Sequence, residues 1–398
     1  MTATAPTGSN ERIGELDVLR GFALLGVFIV HFVGGAFYML SVEESWQEAQ
    51  RALPLQYSAL LFSDMFFLDK ANTLFATLFG MGFWLMLDRL KSRGAAFERI
   101  YLRRLLILLA IGLVNVLFIF PGDVLHVYAM LGIVLMALHK MPQRMMLVIG
   151  VFLGVVGYFI ADALVPAAEQ ADAYYETIQA AAFERGGYWH WVTEASRGWA
   201  VSQFIYGGIV GWALYLFGRF LIGAWIMRTG WISQLEQLLP QIRTAAWIAL
   251  PTGLALSALG TALYEEAISA PEIVKEAVHL LAIPFHAAGY ACALILLFHS
   301  RFKPIVMIFA PVGRMALSAY IAHGAIFTGI YMPFGLAMRG VLGPAPSLAL
   351  VLVLFAVITL ACHWWLGRYR YGPLEYLWRW ATYGERPKFV LAPRPAAA

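Results

Sequence analysis

Charge is scarce in this chain. Asp, Glu, Lys and Arg together make up 13% of its 398 residues, about half the share typical of soluble domains, too few to cover a water-facing surface. Cysteine is nearly absent: Cys292 and Cys362 both lie inside apolar runs, which excludes a disulfide framework and a thiolate metal site. There is no Walker A motif, no Rossmann fingerprint, no His-Glu-x-x-His and no Gly-x-Ser-x-Gly. ATP-driven transport, dinucleotide redox chemistry and zinc peptidase chemistry therefore lose support, and no metal is expected. No basic, aromatic-interleaved surface segment is present, so the formal net charge of +4 points to loop charge and not to nucleic-acid binding. The start, Met1 to Asn10, lacks a basic region followed by an apolar one, so a cleaved signal peptide is not expected.

What remains is apolar. Hydrophobic residues make up 61% and aromatic residues 15% of the chain, with a mean hydropathy of +0.71. The expected fold is all-α: a polytopic transmembrane helical bundle of about ten spans, each needing roughly 20 mostly apolar residues. The stretches fall near Leu16–Tyr38, Ala71–Leu87, Leu105–Pro121, Val124–Leu138, Met145–Val165, Val201–Ile226, Thr244–Tyr264, Val278–His299, Gly313–Met332 and Pro346–Leu366. The third and fourth are short and share the turn Phe120–Asp123, which reads as one hairpin. Tyr57–Phe67 is too short to span and reads as re-entrant or interfacial. Gly150/Gly154 and Gly207/Gly211 have the spacing of close helix contacts.

Loop charge sets an orientation. Arg89, Lys91, Arg93, Arg99, Arg103 and Arg104, then Lys140 and Arg144, Arg228 and Arg243, Arg301 and Lys303, and the basic tail Arg368–Lys388 fall on alternate connections, which places both termini in the cytoplasm. The opposite connections are mainly acidic. The longest, Pro166–Ala200, is expected to lie across the outer face, and Tyr371–Tyr383 along the inner headgroups. The expected organisation is a disordered cytoplasmic tail (1–12), one integral-membrane domain (13–385) and a disordered tail (386–398).

Ionisable residues at membrane depth are costly and mark function by default. Arg20 and His31 lie eleven residues apart on the first helix, roughly 16 Å along it and about 20° from the same face. That separation suits a long ligand with an anionic head: the guanidinium holds phosphate, and the imidazole waits at the reactive end. The bland alternative is an Asp17–Arg20 pair at the interface and a hydrogen-bonded core histidine. Asp123 and His126, at i, i+3, are either a carboxylate-supported base or the turn and cap of the fourth helix. Arg99 and Arg103, with Arg104, are either a phosphate clamp on the side of Arg20 or topology charge. Arg219 and Arg314 lie within or at the edge of spans, as further phosphate ligands or as carbonyl-capping groups. His323 sits roughly 13 Å beyond Arg314. His286, following Pro284, is a substrate contact or a packing histidine, and His363 reads as interfacial.

Leu16-Asp17-Val18-Leu19-Arg20-Gly21-Phe22-Ala23 followed by His31 resembles the first-helix signature of membrane acyltransferase-3 proteins. Thr73–Gly82, Gly122–Ala129, Gly313–Tyr320 and Gly372–Arg379 resemble the YeiB-like bacterial inner-membrane family carrying domain of unknown function 418, with the domain itself over about 215–385. His31 stands where YeiB-like chains usually carry asparagine, and His323 where they often carry glutamine. The resemblance implies a multi-pass protein of a bacterial-type inner membrane, distantly related to transmembrane acyltransferases.

Residues and resemblance together lead to the expectation of an acyltransferase. It would use acetyl-CoA or another acyl-CoA as co-substrate and acylate a hydroxyl or amine of a small-molecule or glycan acceptor near the outer face. His31, Asp123 and His126 would be catalytic; Arg20, Arg99, Arg103, Arg104, Arg219 and Arg314 would hold the donor; His323 and His286 would contact the acceptor. The alternatives are a carrier for a small anionic metabolite and a non-catalytic membrane protein. The lipid bilayer is the expected partner, with homo-oligomerisation left open.

Overall fold

The computed structural model describes residues 13–39, 43–94, 96–164, 186–201, 203 and 208–391. The expected tails at 1–12 and beyond 391, residues 166–185 of the long outer connection, and Gly207 lie outside the described residues. The described residues are all-helical apart from one isolated bridge. In chain order the helices are α1 (Gly14–Ile29, continuing as a π-helix over Val30–Met39), α2 (Glu44–Arg51), α3 (Pro54–Phe66), α4 (Lys70–Ser92), α5 (Phe97–Phe118), α6 (Leu125–Ala137), α7 (Gln143–Leu164), α8 (Tyr188–Ala200), α9 (Gly208–Arg228), α10 (Leu235–Tyr264) and α11 (Glu272–Phe298). They are followed by α12 (Lys303–Arg314), α13 (Ala316–Tyr331), α14 (Pro344–Leu366) and α15 (Pro373–Tyr383).

Six of the helical segments are long and apolar enough to cross a membrane, or seven if the bent pair α12 and α13 counts as one span. With no water in the bilayer core, such segments satisfy their backbone groups internally, as helices do. The short stretch at Tyr57–Phe67 forms α3, which runs through a break at Phe67–Asp69 into α4 within one 39-residue candidate segment. Asp69 occupies the left-handed region there, with φ 60°. Gly150 and Gly154 lie against α9 beside Gly218 and Ile222, where side chains would hold the helices apart.

The stretch read from the sequence as one span, Gly313–Met332, is broken. α12 and α13 meet at 80°, with Met315 at φ −112° and ψ 34° between them. A helix start leaves amide N–H groups unpaired, and here they are supplied with acceptors from a distant segment. The Leu317 and Ser318 amides donate to one carboxylate oxygen of Glu375 at 2.8 and 3.0 Å, and the Ser318 hydroxyl donates to the other at 2.5 Å. The Leu374 amide then donates to Ser318 Oγ, so α15 is fastened to the break. α15 itself begins on Pro373 and ends on Gly384, whose φ of 77° is the usual helix stop.

Residues 386–391, assigned from the sequence to the tail, fold back. The Arg370 amide donates to Phe389 O, the Leu391 amide donates to Arg368 O, and the Phe389 ring stacks on Tyr369. At the other end of the bundle α8 covers the end of α5: Tyr188 Oη donates to Phe118 O and Ser196 Oγ to Leu117 O.

Candidate functional site

A cavity of about 320 Å³ opens at the arginine-bearing end of the bundle. Its walls come from the start of α1, most of the length of α4 and the residue after it, from Phe75 to Arg93, the starts of α5 and α6, the α12–α13 break and α15. All of these walls except α6 bring charge. Arg20, Arg89, Arg93, Arg104, Arg314 and Arg379 line the space, against two carboxylates, Asp17 and Glu375. Walls of low dielectric focus such a field, and a cleft with this excess of guanidinium groups selects anions. Guanidinium forks also match phosphate and carboxylate oxygens in pairs.

The arginines are held in different ways. Arg20 Nη1 lies 3.1 Å from Asp17 Oδ1, and its side chain keeps 27% exposure. The Arg104 guanidinium lies 3.5 Å from the Trp378 ring centroid, and Trp378 Nε1–H donates to the Arg104 carbonyl at 2.9 Å. Arg379 stacks over Tyr371 at 4.7 Å, and Arg314 is exposed at the rim. Tyr101, Tyr128 and Tyr320 also line the cavity.

Tyr320 joins the cavity to a pair of imidazoles, one of them buried. His323, one turn further along α13, places Nδ1 3.3 Å from the Tyr320 carbonyl. His323 Nε2 is 3.1 Å from His31 Nδ1. His323 is 1% exposed and stacks on Phe28 at 4.2 Å with an interplanar angle of 12°. His31 packs near Phe120 and keeps some exposure, yet it does not line the arginine cavity. Its accessible surface therefore lies outside that lining.

Asp123 and His126 form a second buried unit. Asp123 Oδ2 accepts from the His126 amide at 3.2 Å and lies 2.9 Å from His126 Nδ1, and Asp123 Oδ1 accepts from Asn115 Nδ2 at 2.7 Å. The carboxylate thus caps the start of α6 and fixes the ring at the same time. Phe120 separates this unit from the histidine pair, with its centroid 4.9 Å from His31 and 5.5 Å from His323. The Val124 amide donates to Tyr320 Oη across the gap.

The structure brings Arg20, Arg104 and Arg314 into one cavity and leaves other candidates elsewhere. Arg99 and Arg103 are exposed on α5 outside the lining. Arg219 is buried, and protein groups hold it: Nη1 donates to Gly154 O and Tyr215 O, Nε donates to Thr73 Oγ1, and the Tyr215 ring centroid is 3.0 Å away. His286 sits in the α10–α11 hairpin with Nδ1 3.1 Å from Ser257 Oγ, away from the cavity. Sequence reasoning passed over Arg89, Arg93 and Arg379, which it counted only as loop charge, and Tyr320, Glu375 and Trp378. A signal existed for Arg379 and for the last three, since all four sit inside the motifs Gly313–Tyr320 and Gly372–Arg379.

Residues 226–385 match a family described as protein of unknown function (DUF418). The chain is 30% identical to the uncharacterized protein YxaH of Bacillus subtilis (strain 168) over 409 residues, covering 96% of this chain and 97% of the relative. It is 30% identical to the uncharacterized protein YeiB of Escherichia coli (strain K12) over 400 residues, covering 94% and 96%. An uncharacterized 39.9 kDa protein of Bacillus acidopullulyticus is 26% identical over 396 residues. With relatives alike over nearly their full length and a matching domain, the chain belongs to the YeiB-like DUF418 family.

Proposed function

We propose that this protein is an integral-membrane acyltransferase that takes an acyl group, most simply acetyl, from cytoplasmic acyl-CoA and passes it to a hydroxyl or amine acceptor near the outer face. One observation carries the reading: six arginines line a single cavity whose inner wall, Tyr320, adjoins the His31–His323 pair. The arginines hold the donor's phosphates, and two of them lie close to an imidazole along the chain: Arg20 precedes His31 by eleven residues and Arg314 precedes His323 by nine. Once the acyl end has passed Tyr320, the acceptor oxygen or nitrogen attacks the thioester carbonyl carbon. His31 takes the proton from the acceptor, the carbon–sulfur bond breaks, and the departing thiolate receives the proton back. The reading includes ten spans of a bacterial inner membrane, with both termini and the arginine cavity on the cytoplasmic side, and reporter fusions after Gly198, Ala270, Arg144 and Arg386 test that topology.

The decisive experiment is calorimetric titration of acetyl-CoA into the full-length protein in lipid nanodiscs. Arg20→Ala should weaken binding about ten- to a hundredfold, the cost of one charge-assisted contact, while Arg99→Ala should leave it within about twofold, the range of a screened surface charge. His31→Ala should keep binding and lose thioester consumption. Absence of acetyl-CoA binding at millimolar concentration overturns the reading. The same cavity charge also favours a carrier for a small anion, which would instead give counterflow of that anion with no thioester consumed.

A further inference from the structure

The hydrogen-bond chain through the histidine pair has only one self-consistent proton arrangement for neutral rings. A backbone carbonyl can only accept, so the contact between His323 Nδ1 and the Tyr320 carbonyl requires the proton to sit on Nδ1. A neutral imidazole carries one ring proton, which leaves His323 Nε2 as a bare acceptor. The 3.1 Å contact to His31 Nδ1 is then a bond that His31 donates. By the same count His31 Nε2 holds a lone pair. No hydrogen bond among the described residues reaches that nitrogen.

We infer that His323 is a positioning residue: relayed from the Tyr320 carbonyl, it locks His31 in the Nδ1–H tautomer and presents Nε2 as the acceptor for an O–H or N–H group of the second substrate. The mechanical part of this lock is visible in the packing. His323 is clamped face to face on Phe28 and edge-on to Phe120, and Phe32 closes another side. The ring cannot turn over without breaking both of its hydrogen bonds and this aromatic sandwich. An isolated imidazole in water exchanges its tautomers freely, so the protein holds the competent form ready before substrate arrives. The result also names what His31 can recognise. A bare Nε2 accepts, so it selects protonated oxygen or nitrogen and gains nothing from a carbonyl or an anion.

The inference rests on the acyltransferase reading for the identity of the second substrate, but not for the tautomer itself, and the two are tested separately. The full-length protein is labelled with 15N-histidine, and imidazole nitrogen shifts are read by NMR at neutral pH, with His31→Ala identifying the His31 signals. The wild type should show His31 with a protonated Nδ1 and an unprotonated Nε2. His323→Gln, whose amide oxygen can accept from His31 Nδ1–H, should keep that signature, and His323→Leu, which offers no acceptor, should release His31 into a mixture of tautomers. Under the acyltransferase reading His323→Leu also lowers kcat about a hundredfold, the scale of a misplaced general base, with KM for the donor unchanged, and His323→Gln restores most of the rate. A wild-type His31 carrying its proton on Nε2 overturns the inference without needing any variant, as does a folded His323→Leu protein with the wild-type signature. A correct tautomer without thioester consumption leaves the inference standing and removes the acyltransferase reading.

Discussion

A methyl group placed on Gly313 would collide with the carbonyl oxygen of Asp17. The contact is reciprocal, since the same group on Gly21 would strike the carbonyl of Phe309. This crossing of α1 and α12 sets Asp17 and Arg20 beside Arg314 and so builds one corner of the arginine cavity. Gly313→Ala should therefore lower the melting temperature of the detergent-solubilised protein, at a cost of about 1–3 kcal/mol for overpacking. Gly329→Ala, where a methyl group meets nothing within 4 Å, should leave the melting temperature unchanged or slightly raised. Equal behaviour of the two variants would mean that the crossing is loose.

Arg219 separates structural arginines from ligand-binding ones. Arg219 donates to Gly154 O, Tyr215 O and Thr73 Oγ1, and Arg219→Ala removes all three bonds and the ring contact from a buried site. The expected cost is about 2–4 kcal/mol of stability from the lost bonds and the cavity left behind, read as lost monodisperse protein on size-exclusion chromatography. Any surviving folded fraction should bind acetyl-CoA with wild-type affinity. A stable Arg219→Ala protein with weakened binding would move Arg219 into the ligand site.

Asp123 serves both a cap and a histidine, and two substitutions divide these roles. Asp123→Ala removes the acceptor for the His126 amide and for Asn115 Nδ2, at about 2–4 kcal/mol for stranded buried donors. Asp123→Asn keeps an acceptor for the amide and should cost less than half as much. If Asp123→Asn melts like the wild type but loses all thioester consumption, the carboxylate acts in chemistry as well as in the α6 cap.

Burial pushes the Glu375 carboxyl above the ordinary carboxylate range, outweighing the hydrogen bonds from Ser318 and Leu317 that pull it down. A carboxyl raised in the folded state holds its proton more tightly there than in the unfolded chain. Its contribution is full below the ordinary value of about 4.3, declines as pH rises through the raised value, and is flat above it. The melting temperature of the wild type relative to Glu375→Gln should fall as pH climbs from about 4 toward neutral. A difference that grows over that interval would show that the three donors dominate over burial.

Much of the bundle was legible without coordinates, because hydrocarbon admits few solutions to the hydrogen-bonding needs of a backbone. Runs such as Leu16–Tyr38 and Pro346–Leu366 appear as helices within a few residues of their expected limits. Arg20, Arg104 and Arg314 could be singled out because a charge beside an apolar run is conspicuous. The break at Met315 could not be read, since nothing local in Gly313–Met332 demands it. It depends on a carboxylate some 60 residues later, at Glu375, that supplies the acceptors for a second helix start. Arg89 and Arg93 looked like ordinary loop charge for the same reason: a positive residue near a span end carries no mark of what faces it.

The sequence by itself determined the apolar surroundings that suit this protein, the helical form of its segments and which ionisable groups lie within or beside apolar runs, all of which follow from local polarity and the length of those runs. Only the tertiary structure decided which of those groups meet. It set His323 against His31, 292 residues apart, kept Arg219 among carbonyls and gathered six arginines around one cavity. Such pairings are fixed by helix crossings whose closeness depends on facing surfaces, and no single segment contains both surfaces.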